Sequence, residues 1–191
     1  FDYFKPMTQR LSEVHWYGTQ SGEITGEVLQ SEPFLKVLIT GGFEKQTELS
    51  TQLVGAYNIY NVLAACAVGR FFGIPYSKIV AALEAYVPTN SRSQLVEKNG
   101  NKIILDAYNA NPTSMTAAIE NFARLSADNK VLFIGGMMEL GEDSIQEHQQ
   151  IINLIGKYPW KDVILVGGDF KRASHNYHYF ENSAEAAQWW K

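Results

Sequence analysis

Ile103-Ile104-Leu105-Asp106-Ala107-Tyr108-Asn109-Ala110-Asn111-Pro112-Thr113-Ser114-Met115 is the stretch on which the reading of this chain turns. It opens on a short apolar run, the pattern of a buried strand. It closes as a helix start: the Asn111 side chain can accept a hydrogen bond from a first-turn amide, and Pro112 suits the first helical position, where no N–H is needed. Between the two lie an acid, a phenol and two amides. A strand-to-helix turn at the carboxyl edge of a sheet is where open α/β folds hold their ligands. The alternative is an ordinary polar loop, which would draw more freely on Gly, Ser and Asp.

Outward from this stretch the pattern alternates. A β-pair precedes the helix, with Ser93 to Glu97 turning at Asn99-Gly100 into Lys102 to Ala107. A helix is expected from Pro112 to about Leu125, with Met115, Ile119 and Phe122 on one face. Val131 to Ile134 and Val163 to Val166 read as buried strands, with a helix from Ser144 to about Lys157 between them. Tyr177 to Phe180 reads as a last strand before a helix over Asn182 to Lys191. Strand, helix, strand, helix implies a parallel, Rossmann-like sheet with flanking helices.

Upstream the period changes to two. Glu23 to Leu29, Phe34 to Thr40 and Thr47 to Val54 read as antiparallel strands, with a turn at Gly41-Gly42-Phe43-Glu44. Two helices follow, from about Tyr57 to Phe72 and from about Ser77 to Tyr86, with Ile79, Val80, Leu83 and Tyr86 forming the stripe of the second. Pro88-Thr89-Asn90-Ser91 marks a boundary. The fold class is therefore α/β: antiparallel strands and two helices, then a mostly parallel sheet, in domains expected at 1–88 and 89–191.

Composition narrows the function classes. Hydrophobic residues make up 46% of the 191 and charged residues 19%, enough apolar material for a core. The net charge of −4 and the lack of a basic stripe argue against nucleic-acid binding. No apolar run is long enough to span a bilayer, and no secretory leader is evident. The single cysteine, Cys66, stands among alanines in a helical pattern and reads as buried filler, which fits a reducing cytoplasm. The chain begins at Phe1 and stops at Lys191 inside a helical pattern carrying Trp189 and Trp190. A fragment of a longer protein, truncated in its second domain, is the expectation.

Two further segments bear on the chemistry. Gly55-Ala56-Tyr57-Asn58-Ile59-Tyr60-Asn61-Val62-Leu63-Ala64-Ala65 places Asn58 and Asn61 three apart, on one helix face. Their amides suit an adenine edge, giving and accepting a bond at once; Asn58 serves equally well as a helix cap. Gly136-Met137-Met138-Glu139-Leu140-Gly141 follows a strand, with His148 seven residues on. Among polar neighbours Gln146, Glu147, Gln149 and Gln150, His148 reads as a solvated helix position. Gly135-Gly136 and Gly167-Gly168 are turn glycines or phosphate cradles. GxxxxGK[ST] does not occur, nor a serine nucleophile elbow, nor a metal-ligand spacing of His and Cys.

The three segments resemble, in order and spacing, the DxYNANPxSM, G-x-H-N-x-x-N-x-x-A-A and G-x-M-x-E-L-G…H signatures of the Mur ligase family. The resemblance implies the tail of the family's central ATP-binding domain followed by its C-terminal domain. It implies an ATP-dependent amide-bond ligase of peptidoglycan precursor synthesis, joining D-alanyl-D-alanine to UDP-N-acetylmuramoyl-tripeptide through an acyl phosphate. ATP and Mg²⁺ are implied as cofactors, with the metal ligands and phosphate loop mostly upstream, so that the chain alone would be inactive. The implied ATP-binding set is Asn58, Asn61, Arg92 and Asp106: the carboxylate at a strand end grips the ribose hydroxyls, and the guanidinium fork reaches the phosphates. Arg92 and Tyr108 are the implied catalytic pair. Tyr108, Asn109, Asn111, Glu139 and His148 are the implied substrate-binding residues, the last two near the incoming dipeptide. Tyr57 departs from the pattern, standing where the family carries His. Closure about Pro88 to Ser91 is the implied motion, and a monomer without membrane insertion the implied state. Two rivals remain: another ligase of the superfamily, such as a diaminopimelate- or lysine-adding enzyme or a folylpolyglutamate synthetase, and a non-catalytic nucleotide-binding module.

Overall fold

The computed structural model describes residues 4–89 and 91–190. Asn90, one of the four residues of the expected hinge, lies outside the described residues, as does Lys191 at the end of the last helix pattern. The chain divides into two compact units, Phe1–Thr89 with Ser93–Glu97, and Asn90–Arg92 with Lys98–Lys191.

The first unit is a four-stranded sheet in the order β1 (Tyr17–Gly18), β2 (Ile24–Gln30), β3 (Lys36–Gly41), β4 (Thr47–Ser50). The last three are antiparallel neighbours, with Val37 opposite Val28 and Leu49 opposite Val37. Strand β1 was not anticipated: its two residues pair parallel with Ile24 and Thr25, and so short a segment carries no period to read. Alternation along β3 buries Val37 and Ile39 on one face. Helix α1 (Ile59–Phe71) lays Ile59, Val62, Leu63 and Cys66 on that face, and α2 (Tyr76–Ala85) adds Ile79. Burial pushes the Cys66 thiol up to about 11, so it is inert filler, as its alanine neighbours suggested.

Strands β5 (Gln94–Lys98) and β6 (Asn101–Leu105) form a two-stranded sheet. Asn99 and Gly100 between them both hold positive φ (51° and 74°), the conformation an Asn-Gly hairpin turn requires. The expectation that Ile103-Ile104-Leu105 would be a buried strand is corrected here. Strand β6 is exposed over its first three residues and half-buried over the last two, with Ile103 37% exposed. The three apolar residues follow polar Asn101 and Lys102, and among the described residues β5 is the strand that pairs with them.

The second unit carries the parallel sheet, in the order β7 (Val131–Gly135), β8 (Asp162–Val166), β9 (His178–Phe180). Helices α3 (Pro112–Arg124) and α4 (Ser144–Ile155) cover one face. Their Met115, Ile119, Ile151, Ile152 and Ile155 pack with Leu132, Val163, Leu165 and Phe170 into one core. Trp160 closes its rim, stacked on Phe122 at 5.7 Å with its indole N–H on the Ile155 carbonyl at 2.8 Å. Helix α5 (Ser183–Trp189) is capped by Asn182, whose side chain accepts from the Glu185 amide. Among the described residues no helix is long and apolar enough to cross a membrane.

Candidate functional site

Strand β6 ends at Leu105, and Asp106 is the first residue past it, exposed to solvent. The Ala107 amide donates to the Ser91 carbonyl at 2.8 Å, which draws the segment holding Arg92 alongside the strand end. Arg92 then lays its guanidinium over the Tyr108 ring, Cζ 3.8 Å from the centroid. Stacking consumes the face of a guanidinium and leaves its in-plane N–H fork for an anion. Ser91 and Ser93, on either side of Arg92, both hold positive φ (56° and 50°), an uncommon state for residues with a side chain, and one that tends to collect at functional positions.

The rest of this loop sorts by what each side chain does. Asn109 is exposed and its Oδ1 accepts from the Ala110 amide at 2.9 Å, shaping the turn. Asn111 is the N-cap of α3: its Oδ1 accepts from the Ser114 amide at 2.9 Å, and the Ser114 hydroxyl accepts in return from the Asn111 amide at 3.3 Å. That reciprocal capping accounts for the Asn111 oxygen as a helix start and does not involve its Nδ2.

A second strand end lies in the same unit. Glu139, past β7, is exposed and holds φ +63°. His148 is corrected: it is neither a solvated helix position nor open to a ligand, being fully buried. Its Nε2 accepts from the Met137 amide at 3.0 Å, and its Nδ1–H donates to the Ser144 carbonyl at 2.6 Å. The ring stands edge-on to Phe170 at 4.6 Å. The signal in the sequence was spacing: His148, Ile151, Ile152 and Ile155 share one face of α4, a period that the polar neighbours masked. The glycine pairs do something other than cradle phosphate. A Cβ on Gly136 would stand 2.5 Å from the Gly168 Cα, so the loops after β7 and β8 meet backbone to backbone where a side chain has no room. Asp169, next along, is held below the usual carboxylate range by the Ser144 hydroxyl and by Arg172.

In the first unit, Asn58 and Asn61 do share a face, and the Asn61 amide donates to Asn58 Oδ1 at 2.8 Å. Asn58 itself is buried, and its Nδ2 donates to the Val54 carbonyl at 2.8 Å and to Ser93 Oγ at 3.2 Å. It makes no side-chain cap to α1. With oxygen and nitrogen both engaged it is a bracket, and Asn61 is the exposed member of the pair. Tyr57 also reaches Ser93, at 2.8 Å between oxygens, a contact across 36 positions that local pattern does not reveal.

Within the second unit, Asp106 offers a carboxylate, a group suited to vicinal hydroxyls, and Arg92 a guanidinium, a group suited to phosphate. Among the described residues no group of three His, Cys, Asp or Glu stands where it could hold a metal ion, so the Mg²⁺ expected with ATP has no built site among them.

The parallel-sheet unit and its strand-end loops are those of an amino-acid ligase domain: residues 91–190 match the model of the Mur ligase, glutamate ligase domain. The chain belongs to the Mur ligase family. It is 36% identical over 121 residues to the UDP-N-acetylmuramoyl-tripeptide–D-alanyl-D-alanine ligase of Treponema pallidum, matching 63% of this chain and 26% of that protein. The chain thus spans about a quarter of the length of that curated relative. In fold it is similar to MurF from Acinetobacter baumannii, with a TM-score of 0.83 at 24% identity, over 99% of this chain and 42% of that one. It is also similar to the MurF ligase of Thermotoga maritima in complex with ADP, with a TM-score of 0.78 at 18% identity, over 97% and 44%.

Proposed function

We propose that this chain forms part of a cytoplasmic, ATP-dependent ligase of peptidoglycan precursor synthesis, joining D-alanyl-D-alanine to UDP-N-acetylmuramoyl-tripeptide. The reaction transfers the γ-phosphoryl group of ATP to the terminal carboxylate of the tripeptide, releasing ADP. The dipeptide amine then attacks the acyl phosphate, and the tetrahedral intermediate expels phosphate to leave the amide. Chemistry of this kind is governed by positioning and by neutralisation of developing negative charge.

In this reading Asp106 accepts bonds from the ribose hydroxyls, Arg92 turns its N–H fork to the phosphates, and Asn61 meets the adenine edge while Asn58 holds Asn61. Tyr108 and Asn109 face the reacting ends, and Glu139 faces the incoming amine. Mg²⁺ bound with ATP would supply further charge neutralisation through ligands outside this chain. The observation that carries the reading is the Arg92 guanidinium stacked 3.8 Å over Tyr108, two residues past Asp106, in a chain of this family. The relative's printed name and the ADP held by the Thermotoga structure agree with it.

The test is phosphate release by the intact enzyme with ATP and UDP-N-acetylmuramoyl-tripeptide, offering D-alanyl-D-alanine, diaminopimelate, lysine or glutamate in turn. Release that requires D-alanyl-D-alanine is expected. A preference for any other acceptor would replace the substrate assignment. The 191-residue chain alone is expected to give no turnover, since the phosphate-loop motif is not within it.

A further inference from the structure

We infer that His148 is a positioning residue: it fastens the loop after β7 to the first turn of α4, with Phe170 of the loop after β8 packed on its ring, and so fixes the backbone that presents Glu139 to the amine acceptor. The identity of that acceptor rests on the ligase reading above; the fastening does not.

A buried imidazole is costly unless both nitrogens find partners. Here they do: the Met137 amide in the loop after β7, and the Ser144 carbonyl at the first turn of the ring's own helix, with the Ser144 hydroxyl at 3.4 Å. Because the Met137 amide can only donate, Nε2 must be the accepting nitrogen, and Nδ1–H must be the donor to Ser144. One tautomer satisfies the site. On the far side of the ring, Phe170 of the loop after β8 stands edge-on at 4.6 Å, and the same loop carries Asp169, paired with Arg172 at 3.4 Å. A second tie runs parallel to the first, the Gly136 amide donating to the Val166 carbonyl at 2.9 Å. Gly168 leaves no slack, since a Cβ there would stand 2.9 Å from His148 Nε2 and 2.7 Å from the Gly136 Cα.

What this arrangement holds is two residues further along. Glu139 keeps a left-handed backbone although it has a side chain and is exposed, and Gly141 beside it is left-handed as well. Such a conformation persists where surrounding structure over-determines it. Nothing about an exposed glutamate demands that state locally, whereas a pinned Met137 amide two residues upstream does constrain the path. The loop therefore leaves β7 with its direction set from beneath, and the carboxylate at its tip is aimed by a residue that never touches a ligand.

Three measurements test this. In the 191-residue chain, the nitrogen chemical shifts of the wild-type imidazole should report the Nδ1–H tautomer; the Nε2–H tautomer would overturn the proposal whether or not any variant folds. His148→Phe keeps the volume and removes both nitrogens. Hydrogen exchange of the Met137 amide should quicken about 10-fold, corresponding to the loss of one hydrogen bond, with the β8 amides unchanged. His148→Gln, which can again accept from Met137, should restore most of the protection. Unchanged Met137 exchange, or an equal rise throughout β7 and β8, would reduce His148 to core filler. In the intact ligase, His148→Phe should raise KM for the dipeptide about 10-fold while KM for ATP stays put. Both constants rising together would defeat the link to the acceptor. Failure of the ligase reading itself would show differently, as a wild-type enzyme without dipeptide-dependent phosphate release, and would leave the exchange result standing.

Discussion

Two loops leave strand ends in the second unit and spend their polar residues in opposite ways. After β6, Asp106, Tyr108 and Asn109 are all exposed, and the fixed point is an arginine stacked on a ring at the surface. After β7, the polar residue that matters most to the loop's path is buried one helix away, with both nitrogens given to backbone. In the proposed function the first loop offers groups to a ligand. The second is shaped by a group withheld from it. A motif shared across a family can therefore mix residues that touch substrate with residues that aim them, and burial separates the two kinds.

The contrast can be broken or sharpened by substitution. The largest effect is expected from Asp106→Ala in the intact ligase. Losing two charge-assisted hydrogen bonds to ribose should lower kcat/KM for ATP by about 100-fold with an unchanged melting temperature; unaltered kinetics would remove Asp106 from the nucleotide site. Gly136→Ala should act on stability instead. Its Cβ would press on the Gly168 backbone at 2.5 Å, and overpacking of that kind costs roughly 2 kcal/mol, read as a lowered urea midpoint. A neutral result would mean the two loops part easily. Asn111→Ala should cost about 1 kcal/mol through loss of the α3 cap. If it raised KM for a substrate without lowering the melting temperature, the cap assignment would give way to a contact role. Smallest is Tyr108→Ala, where an exposed cation–π stack contributes about 0.5–1 kcal/mol, so KM for ATP should rise about threefold, with Tyr108→Phe close to wild type. Equal losses in both variants would place the importance in the hydroxyl.

Much of this was legible in the residues. Asn111-Pro112 marked the start of α3, Asn99-Gly100 marked the hairpin, and period-two runs marked β2 and β3 within two residues and the start of β4, which ends at Ser50, four residues before the expected Val54. What escaped did so for nameable reasons. The exposure of Ile103 depends on which strands neighbour β6, and no local pattern encodes that. His148 was hidden by the glutamines and glutamate around it, although its spacing from Ile151, Ile152 and Ile155 was in plain view. Asn58 and Asn61 were rightly read as sharing a face, but which one faces solvent depends on Ser93, 35 positions away from Asn58. In the site, residue types suggested the chemistry, while the division between contact and support required coordinates.

The indoles are distributed unevenly: of four tryptophans, Trp16 is in the first unit, and Trp160, Trp189 and Trp190 are in the second. Trp160, locked against Phe122 with its N–H on a carbonyl, sits in an environment distinct from the half-exposed pair near the end of α5. Replacing the three indoles of the second unit with phenylalanine would leave Trp16 as a lone fluorophore for the first. Trp16→Phe in a companion variant would leave the second unit's indoles as its reporters, and comparing the two melts by emission, without an extrinsic dye, would tell whether the halves melt as one cooperative block or as two.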